Sequence, residues 1–372
     1  MIPRLKYYQC VLRTIGPVFV GSGKEIGKRE YVFLNQSKVG IPNIQMLYAE
    51  MKKRGLGNRF EDYMLGGANI NLTDWLKKQN ITMKELEPLI KYTLDCRDVV
   101  LDRGTRGLQV MGCIKDPYGK PYVPGSTLKG MFRTILLGAD IMCSPEKFRG
   151  KKQELLQDVS MDSTRTNYLR KNADSLEQAA YRTLHREGTR PNDAVNDILQ
   201  GFVVSDSEPL DPEALVLCQK IDLHTKGIER RLPLLRECVK PGTEIKFSVT
   251  MDTDVCPLTV EKIMNAVKQF SESYYKNFGI AFHGIEIPKE NEVFLGGGCG
   301  FVSKTVLYPL LGREKGMKII PKVFEKTKVP RVHKHIYDQQ YGASPHTLKC
   351  TKYRGKNYQM GLCRIESLEC VG

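Results

Sequence analysis

Along Leu5–Arg13 apolar residues, aromatic and β-branched among them, are interrupted by single polar positions, and this predicts a strand. Strand patterns recur at Tyr31–Leu34, Val39–Ile41, Val99–Ile114, Pro121–Val123, Phe202–Ser207, Ala214–His224, Glu244–Met251 and Tyr358–Ile365. Asp116-Pro-Tyr-Gly119 is a turn. A helical period replaces the strand period in Pro124–Gly138. There Leu128, Met131, Phe132, Ile135 and Leu136 fall at i, i+3, i+4, i+7 and i+8, with Ser126 or Thr127 as cap. Val260, Ile263, Met264, Val267, Phe270, Tyr274 and Phe278 mark a second long amphipathic helix, stopped by Gly279. Shorter helices are expected from Asn43 to Arg54, and from the capping box Thr82-Met-Lys-Glu85 to about Thr93. Three more are expected at Pro145–Asp158, Asp174–Glu187 and Pro191–Gln200.

Strands alternating with helices and polar insertions predict an α+β fold, its sheets covered by helices on one side. A chain of 372 residues suits one large or two ordinary domains, and a boundary is expected at Asp252–Pro257. No apolar run is long enough to span a bilayer, and the N-terminus lacks the apolar core of a secretory signal. The eleven cysteines show no Cys-x-x-Cys pair and no zinc spacing. They read as buried free thiols of a soluble, cytoplasmic protein with no metal and no cofactor.

Charge changes the picture. Fifty-seven Lys+Arg against 42 Asp+Glu leave +15, and residues 312–356 hold twelve Lys/Arg against three Asp/Glu. That segment interleaves its cations with Tyr337, Tyr341, Tyr353, His333, His335 and His346, a mixture suited to phosphates and bases. A bare charge run would only be a solvated face.

The stretch Gly296-Gly-Gly-Cys-Gly300, followed by Ser303-Lys304-Thr305, has almost no side chains. Its N–H groups can form an anion-binding concavity, unless the glycines merely make a tight bend. Gly21-Ser22-Gly23-Lys24 looks like a Walker A loop but lacks its four-residue spacer and its final hydroxyl, since Arg29 stands there. The 296–300 loop also lacks the Gly-x-Gly-x-x-Gly order of a dinucleotide site. Ser126, Lys129 and Arg133 share one face of the 124–138 helix, with Gly130 keeping that surface low. They form either a phosphate cradle or an ordinary solvated face.

Five segments, in order, resemble the RAMP superfamily of CRISPR RNA-binding proteins, and within it the head-capping subunits of type III-A (Csm) effector complexes. These are Pro17-Val-Phe-Val-Gly-Ser-Gly23, Pro124-Gly-Ser-Thr-Leu-Lys-Gly130 with Arg133, Phe202-Val-Val-Ser-Asp-Ser207, the glycine loop through Thr305, and Ser344-Pro-His-Thr-Leu-Lys349 before Gly361-Leu-Cys-Arg364. The resemblance implies two ferredoxin-like (RRM-like) domains. One would span 1–252 with helical insertions at about 43–95 and 140–200. The other would span 253–372 with the glycine loop and basic segment, its last strand free to return to the first. It also implies a non-catalytic subunit that caps the filament at the 3′ portion of the guide RNA and supports maturation of that end in antiviral defence. The implied partners are the guide RNA, the target RNA paired with it and the neighbouring backbone subunit, with host nucleases as further candidates.

The RNA contacts so assigned are Gly21, Ser22, Gly23, Lys24, Ser126, Lys129, Arg133, Gly296, Gly297, Gly298, Gly300, Ser303, Lys304 and Lys349. Between Gly21 and Val39 there is no aspartate of the kind that cuts target RNA in backbone relatives, so no target cleavage is expected. The alternative is a metal-independent endoribonuclease processing guide RNA with His333, His335, Tyr337 and Lys334, although no carboxylate in the sequence pins these histidines. A purely structural scaffold is the third possibility, and the set of motifs argues against it.

Overall fold

A computed structural model describes residues 4–66, 70–100, 108–161, 169–285, 291–327 and 329–371. The elements, short 3-10 turns aside, run in chain order as follows. The first part holds β1 (Leu5–Thr14), β2 (Gly21–Ile26), β3 (Val32–Phe33), β4 (Lys38–Pro42), α1 (Ile44–Lys53), α2 (Gly57–Leu65), α3 (Leu72–Lys78), α4 (Met83–Leu86), β5 (Ile90–Asp95) and β6 (Val110–Cys113). Then come α5 (Gly125–Cys143), α6 (Arg149–Ser160), α7 (Arg170–Tyr181), β7 (Phe202–Val204), β8 (Leu215–His224), β9 (Glu229–Val239) and β10 (Glu244–Asp252). The remainder is α8 (Val260–Asn277), β11 (Glu292–Phe294), α9 (Leu307–Lys326), α10 (Asp338–Tyr341), β12 (Thr347–Tyr353), β13 (Lys356–Gln359) and β14 (Leu362–Cys370).

Two sheets organise these elements. The first has the order β11-β14-β1-β10-β7. With α5 between β1 and β7, and α8 between β10 and β14, its path is βαββαβ and its four main strands are antiparallel. This is the connectivity of a ferredoxin-like unit. In β1 the residues Tyr8, Cys10, Leu12 and Thr14 are buried, every second position, and face α5 and α8. The second sheet runs β2-β6-β9-β8-β5-β4-β3, with β12 on the other half of the β8 edge and β13 beyond it. Both sheets take strands from either side of residue 252: β14 pairs with β1, and β12 with β8.

Most predicted elements are present, and several differ for local reasons. Asn43 caps α1 as expected. The Thr82–Glu85 capping box forms, but its helix ends at Leu86. Pro88 sits in the following 3-10 turn, and Ile90, Tyr92 and Leu94 then pair in β5 between β4 and β8. Pro191–Gln200 makes two 3-10 turns rather than a helix. The 1-in-4 apolar spacing of α5 holds, yet neither Ser126 nor Thr127 caps it. Its N-cap is Pro124, and the Gly125 N–H donates to Asp206 Oδ1 at 2.7 Å. Of the strand expected over Val99–Ile114, β6 keeps the end, and residues 101–107 lie outside the described residues. The basic segment is largely structured, because α9 buries Leu310, Leu311, Ile320, Val323 and Phe324. No disulfide joins any of the eleven cysteines, nine of which are buried. Among the described residues no helix is long and apolar enough to cross a membrane.

Candidate nucleic-acid interface

The glycine loop 296–300 is held by two other chain segments, Pro17–Phe19 and Gly361, which also bond to each other. Gly297 N–H donates to Phe19 O at 2.7 Å, Leu295 N–H to Gly361 O at 2.8 Å, and Gly361 N–H to Pro17 O at 2.8 Å. Gly296, Gly298 and Gly300 all have positive φ, at 79°, 79° and 94°. A side chain is excluded at two of them by close approach as well. A Cβ on Gly296 would lie 2.2 Å from Phe19 O, and one on Gly298 would lie 2.6 Å from Arg236 Nη1. Ser303 does not face outward; its Oγ donates to Cys299 O at 3.0 Å and steadies the turn. Lys304 is exposed, its Nζ reaching Phe294 O at 3.3 Å.

Phe19 carries the loop across to the second glycine stretch. Its ring lies against Gly21, where a Cβ would approach it to 2.8 Å. Beyond it β2 forms an edge strand with exposed Gly21, Gly23 and Lys24. Ser22 Oγ donates to Gly112 O at 3.1 Å, which pins β2 to β6. The Arg236 guanidinium stacks over the same Phe19 ring, 5.2 Å from its centroid. Its Nε and Nη1 are shielded from solvent and have no hydrogen-bond partner among the described residues. A guanidinium normally finds acceptors for its five donors, so this one is poised for a ligand.

Lys349 lies beside Gly300, 3.3 Å from where a Cβ would stand there, and its Nζ donates to Asp222 Oδ1 at 2.8 Å. Lys220, on the same strand as Asp222, is half-buried. Burial first, and then repulsion from Lys349, hold its ammonium below the usual lysine pKa. Lys220, Lys349, Gly300, His333 and His335 line a cavity of about 250 Å³, together with Phe301 and Phe324. His335 is oriented by a buried carboxylate: its Nδ1 lies 3.2 Å from Asp338, which also receives His346 Nδ1 and, at 2.6 Å, Ser344 Oγ. Burial alone would raise the Asp338 carboxyl, but these hydrogen bonds outweigh it and hold it below the usual carboxylate range. The expectation that no carboxylate pins the histidines is therefore corrected. Donor atoms of His335, Asp338 and His346 lie within 4.8 Å of one another, a set that could take a divalent cation. Spacing rules for Cys/His pairs could not have found it.

The cations of the third predicted cradle are engaged within the chain, although Glu177, a partner of Arg133, lines the same pocket as Lys304. Lys129 Nζ donates to Leu199 O at 2.7 Å, and burial lowers its pKa. Arg133 bridges Asp197 at 2.8 Å and Glu177 at 2.7 Å, and its guanidinium lies over Tyr181 at 4.7 Å. Ser126 is exposed at a helix start whose first N–H is taken by Asp206. Ser207 Oγ in turn accepts the Val123 N–H at 2.9 Å. The motifs at 124–130 and 202–207 thus lock to each other and hold the helical insertion. Gly130 faces open space.

Sequence reasoning missed Arg236, Lys220, Asp222 and Asp338. Arg236 sits on β9, whose inward row contains Glu237 between Leu235 and Val239, so no apolar alternation marks the strand. Glu237 is fully buried because Lys115, Tyr92 and the Cys113 N–H meet it.

A motif-bearing glycine loop at the junction of two sheets, one with ferredoxin-like connectivity, defines the class. The RAMP superfamily model matches residues 11–303, and the chain belongs to that superfamily. It is similar to the proteins named CRISPR system Cms protein Csm5 from Mycobacterium tuberculosis H37Rv, at 29% identity over 97% of each chain, and from Enterococcus italicus, at 27% over 97% of each. The relative of that name from Streptococcus thermophilus is 26% identical over 87% of this chain and 88% of its own. Its fold is similar to a chain in the Csm–crRNA–target RNA ternary complex of a type III-A CRISPR–Cas system, with TM-score 0.63 and 18% identity, covering 96% of this chain and all of that one. The crystal structure of Csm5 from T. onnurineus gives TM-score 0.59 and 15% identity over 95% and 99%.

Proposed function

We propose that this chain is a non-catalytic RNA-binding subunit of a type III-A CRISPR effector complex, built on two RRM-like halves. It caps the filament at the 3′ portion of the guide RNA, beside the neighbouring backbone subunit, and supports maturation of that RNA end. One observation carries the reading. Two glycine stretches, far apart in sequence, are joined through Phe19 under a guanidinium whose buried Nε and Nη1 have no partner among the described residues. Bare backbone plus an unsatisfied cation admits a phosphodiester closely, whatever its sequence. The contacts are Gly21–Lys24, Gly296–Gly300, Lys304, Lys349 and Arg236, with Ser303 shaping the loop. Lys129 and Arg133 are engaged by Leu199, Asp197 and Glu177 instead, and Ser126 is left at an exposed helix start. The family and the similarity to Csm5 proteins over nearly the whole chain support the same assignment.

The test is RNA binding by the purified chain at rising salt. Log affinity should fall against log salt by about 0.7 per phosphate contacted. An affinity insensitive to salt would remove the reading. A second reading, metal-independent guide-RNA cleavage, is favoured by Asp338, which orients His335 towards the cavity. Incubating guide precursor with the wild type and with His335→Ala decides it, since cleavage lost in the variant would make the protein an enzyme.

A further inference from the structure

The cavity behind the glycine loop differs from the open surface that would carry a strand. At about 250 Å³ it is smaller than pockets that take drug-sized ligands, roughly 300–1,000 Å³. Its lining is part cationic and part apolar. Lys220 and Lys349 come from β8 and β12, while His333 and His335 come from the segment after α9. The apolar part is Tyr274 of α8 and Phe278 just after it, with Phe301, Val302 and Phe324. Arg236 adds a third positive charge close to Lys220. The carboxylate beside these three cations is Asp222, which pairs with Lys349 and stands 3.9 Å from Lys220. Asp338 sits behind His335 and is consumed by its own three hydrogen bonds. Two cations and two imidazoles against an apolar wall make a small site of surplus positive charge. In such a wall charge–charge attraction is weakly screened. An internal phosphodiester, flanked by sugar on both sides, cannot enter a pocket of this size end-on. A terminal phosphate can.

Resting on the RNA-binding reading above, we propose that this cavity is a receptor for a terminal phosphate monoester of the bound RNA, held by Lys220, Lys349, His333 and His335 with the Gly300 backbone at its rim. Asp338 is a positioning residue: it fixes His335 through Nδ1 and leaves the other ring nitrogen for the ligand. A dianionic monoester fits two lysines and two histidines better than the single charge of a phosphodiester or the neutral hydroxyl of an unphosphorylated end.

The experiment uses the full chain and three RNAs of one sequence, ending in a 3′-phosphate, a 3′-hydroxyl or a 5′-phosphate with 3′-hydroxyl, with affinity read by fluorescence anisotropy. One phosphorylated end should bind about tenfold tighter than the doubly hydroxylated control, and which end does so gives the direction of the strand. Lys220→Gln should abolish that preference while leaving the affinity of the hydroxyl-ended RNA within about twofold, and His333→Gln should reduce it. A melting curve on each variant shows that it is folded. Inorganic phosphate, competed at millimolar concentration, should erase the preference only. Equal affinity for all three RNAs by the wild type, or a preference that survives Lys220→Gln, overturns the proposal and leaves the RNA-binding reading standing. Failure to bind any RNA sinks that reading, and the cavity then stands only if inorganic phosphate raises the melting temperature of the wild type and not of Lys220→Gln.

Discussion

Arg133→Ala separates a structural cation from an RNA-binding one. The side chain loses its bond to Asp197 at 2.8 Å, where the carboxylate is mostly buried, its bond to the half-exposed Glu177 at 2.7 Å, and its place over Tyr181. The Glu177 pair contributes about 0–1 kcal/mol, as exposed pairs do. The cation–π contact adds about 0.5–2 kcal/mol. Leaving a fully buried charge unpaired costs about 3–5 kcal/mol, and Asp197 keeps enough exposure to take the lower end or less. We expect a loss near 3 kcal/mol. Unfolding entropy of about 2.1 cal/mol/K per residue makes this a fall of roughly 4 °C in Tm if the chain melts as one unit. Thermal melting by circular dichroism measures it. Repeating it on Asp197→Asn, which keeps the acceptor used by the Leu199 N–H, and on the double variant gives the coupling. RNA affinity of the folded variant should stay within about twofold of wild type. An unchanged Tm together with lost RNA binding would refute the reasoning and return Arg133 to the phosphate surface.

Arg236→Ala should weaken RNA binding roughly tenfold or more, since hydrogen bonds to charged groups contribute about 1.5–3 kcal/mol, while the lost contact with Phe19 lowers Tm by no more than about 3 °C; an unchanged affinity in anisotropy titrations would contradict the role given to its nitrogens. Gly296→Ala puts a Cβ 2.2 Å from Phe19 O at positive φ and should cost at least about 2 kcal/mol in denaturant titration along with RNA affinity, whereas Gly130→Ala, on an open helical face, should stabilise by about 1 kcal/mol and leave RNA binding alone. The Glu85 carboxyl is held down at about 2 by hydrogen bonds from the Thr82 side chain and backbone and from Arg54. Its folded pKa is depressed, so the protection it gives α4 is complete above an unfolded value of about 4.3 and is lost as pH falls towards 2. The advantage of wild type over Glu85→Gln, followed by amide exchange at α4, should shrink across that window.

Elements with a strong period were legible: β1, α5 and α8 carry their burial pattern in the sequence, and Asn43 and Thr82 announced their helices. Legibility failed where tertiary contacts decide. Glu237 is apolar in position but not in chemistry, so β9 was invisible until Lys115 and Tyr92 were seen beneath it. The charge run at 312–356 concealed α9, because Lys315, Lys318 and Lys322 line the outer face of a helix whose inner face is Ile320, Val323 and Phe324. At the site, the backbone half was readable, since glycines announce close approach. The side-chain half was not. Lys129 and Arg133 had the right spacing for a cradle, and only the fold of 177–199 against α5 shows them spent on Leu199, Asp197 and Glu177.

The connectivity explains why the motifs lie so far apart in sequence and yet converge. In a βαββαβ path the final strand must return beside the first, so β14 carries Gly361 back to Pro17, next to the start of β2. The glycine loop, leaving β11 at the edge of that sheet, then has only Phe19 to cross before it meets β2 and β9 of the second sheet. The β12 strand, fixed on β8, brings Lys349 to the same rim. Apart from Lys304, which ends a 3-10 turn, each cation at the surface therefore stands on a strand held by its neighbours, and the bare backbone between them is what the strands leave uncovered. Rigid supports with an unfilled, positively charged gap match what a sequence-blind RNA contact requires: position is set by the fold, and base identity is left to pairing.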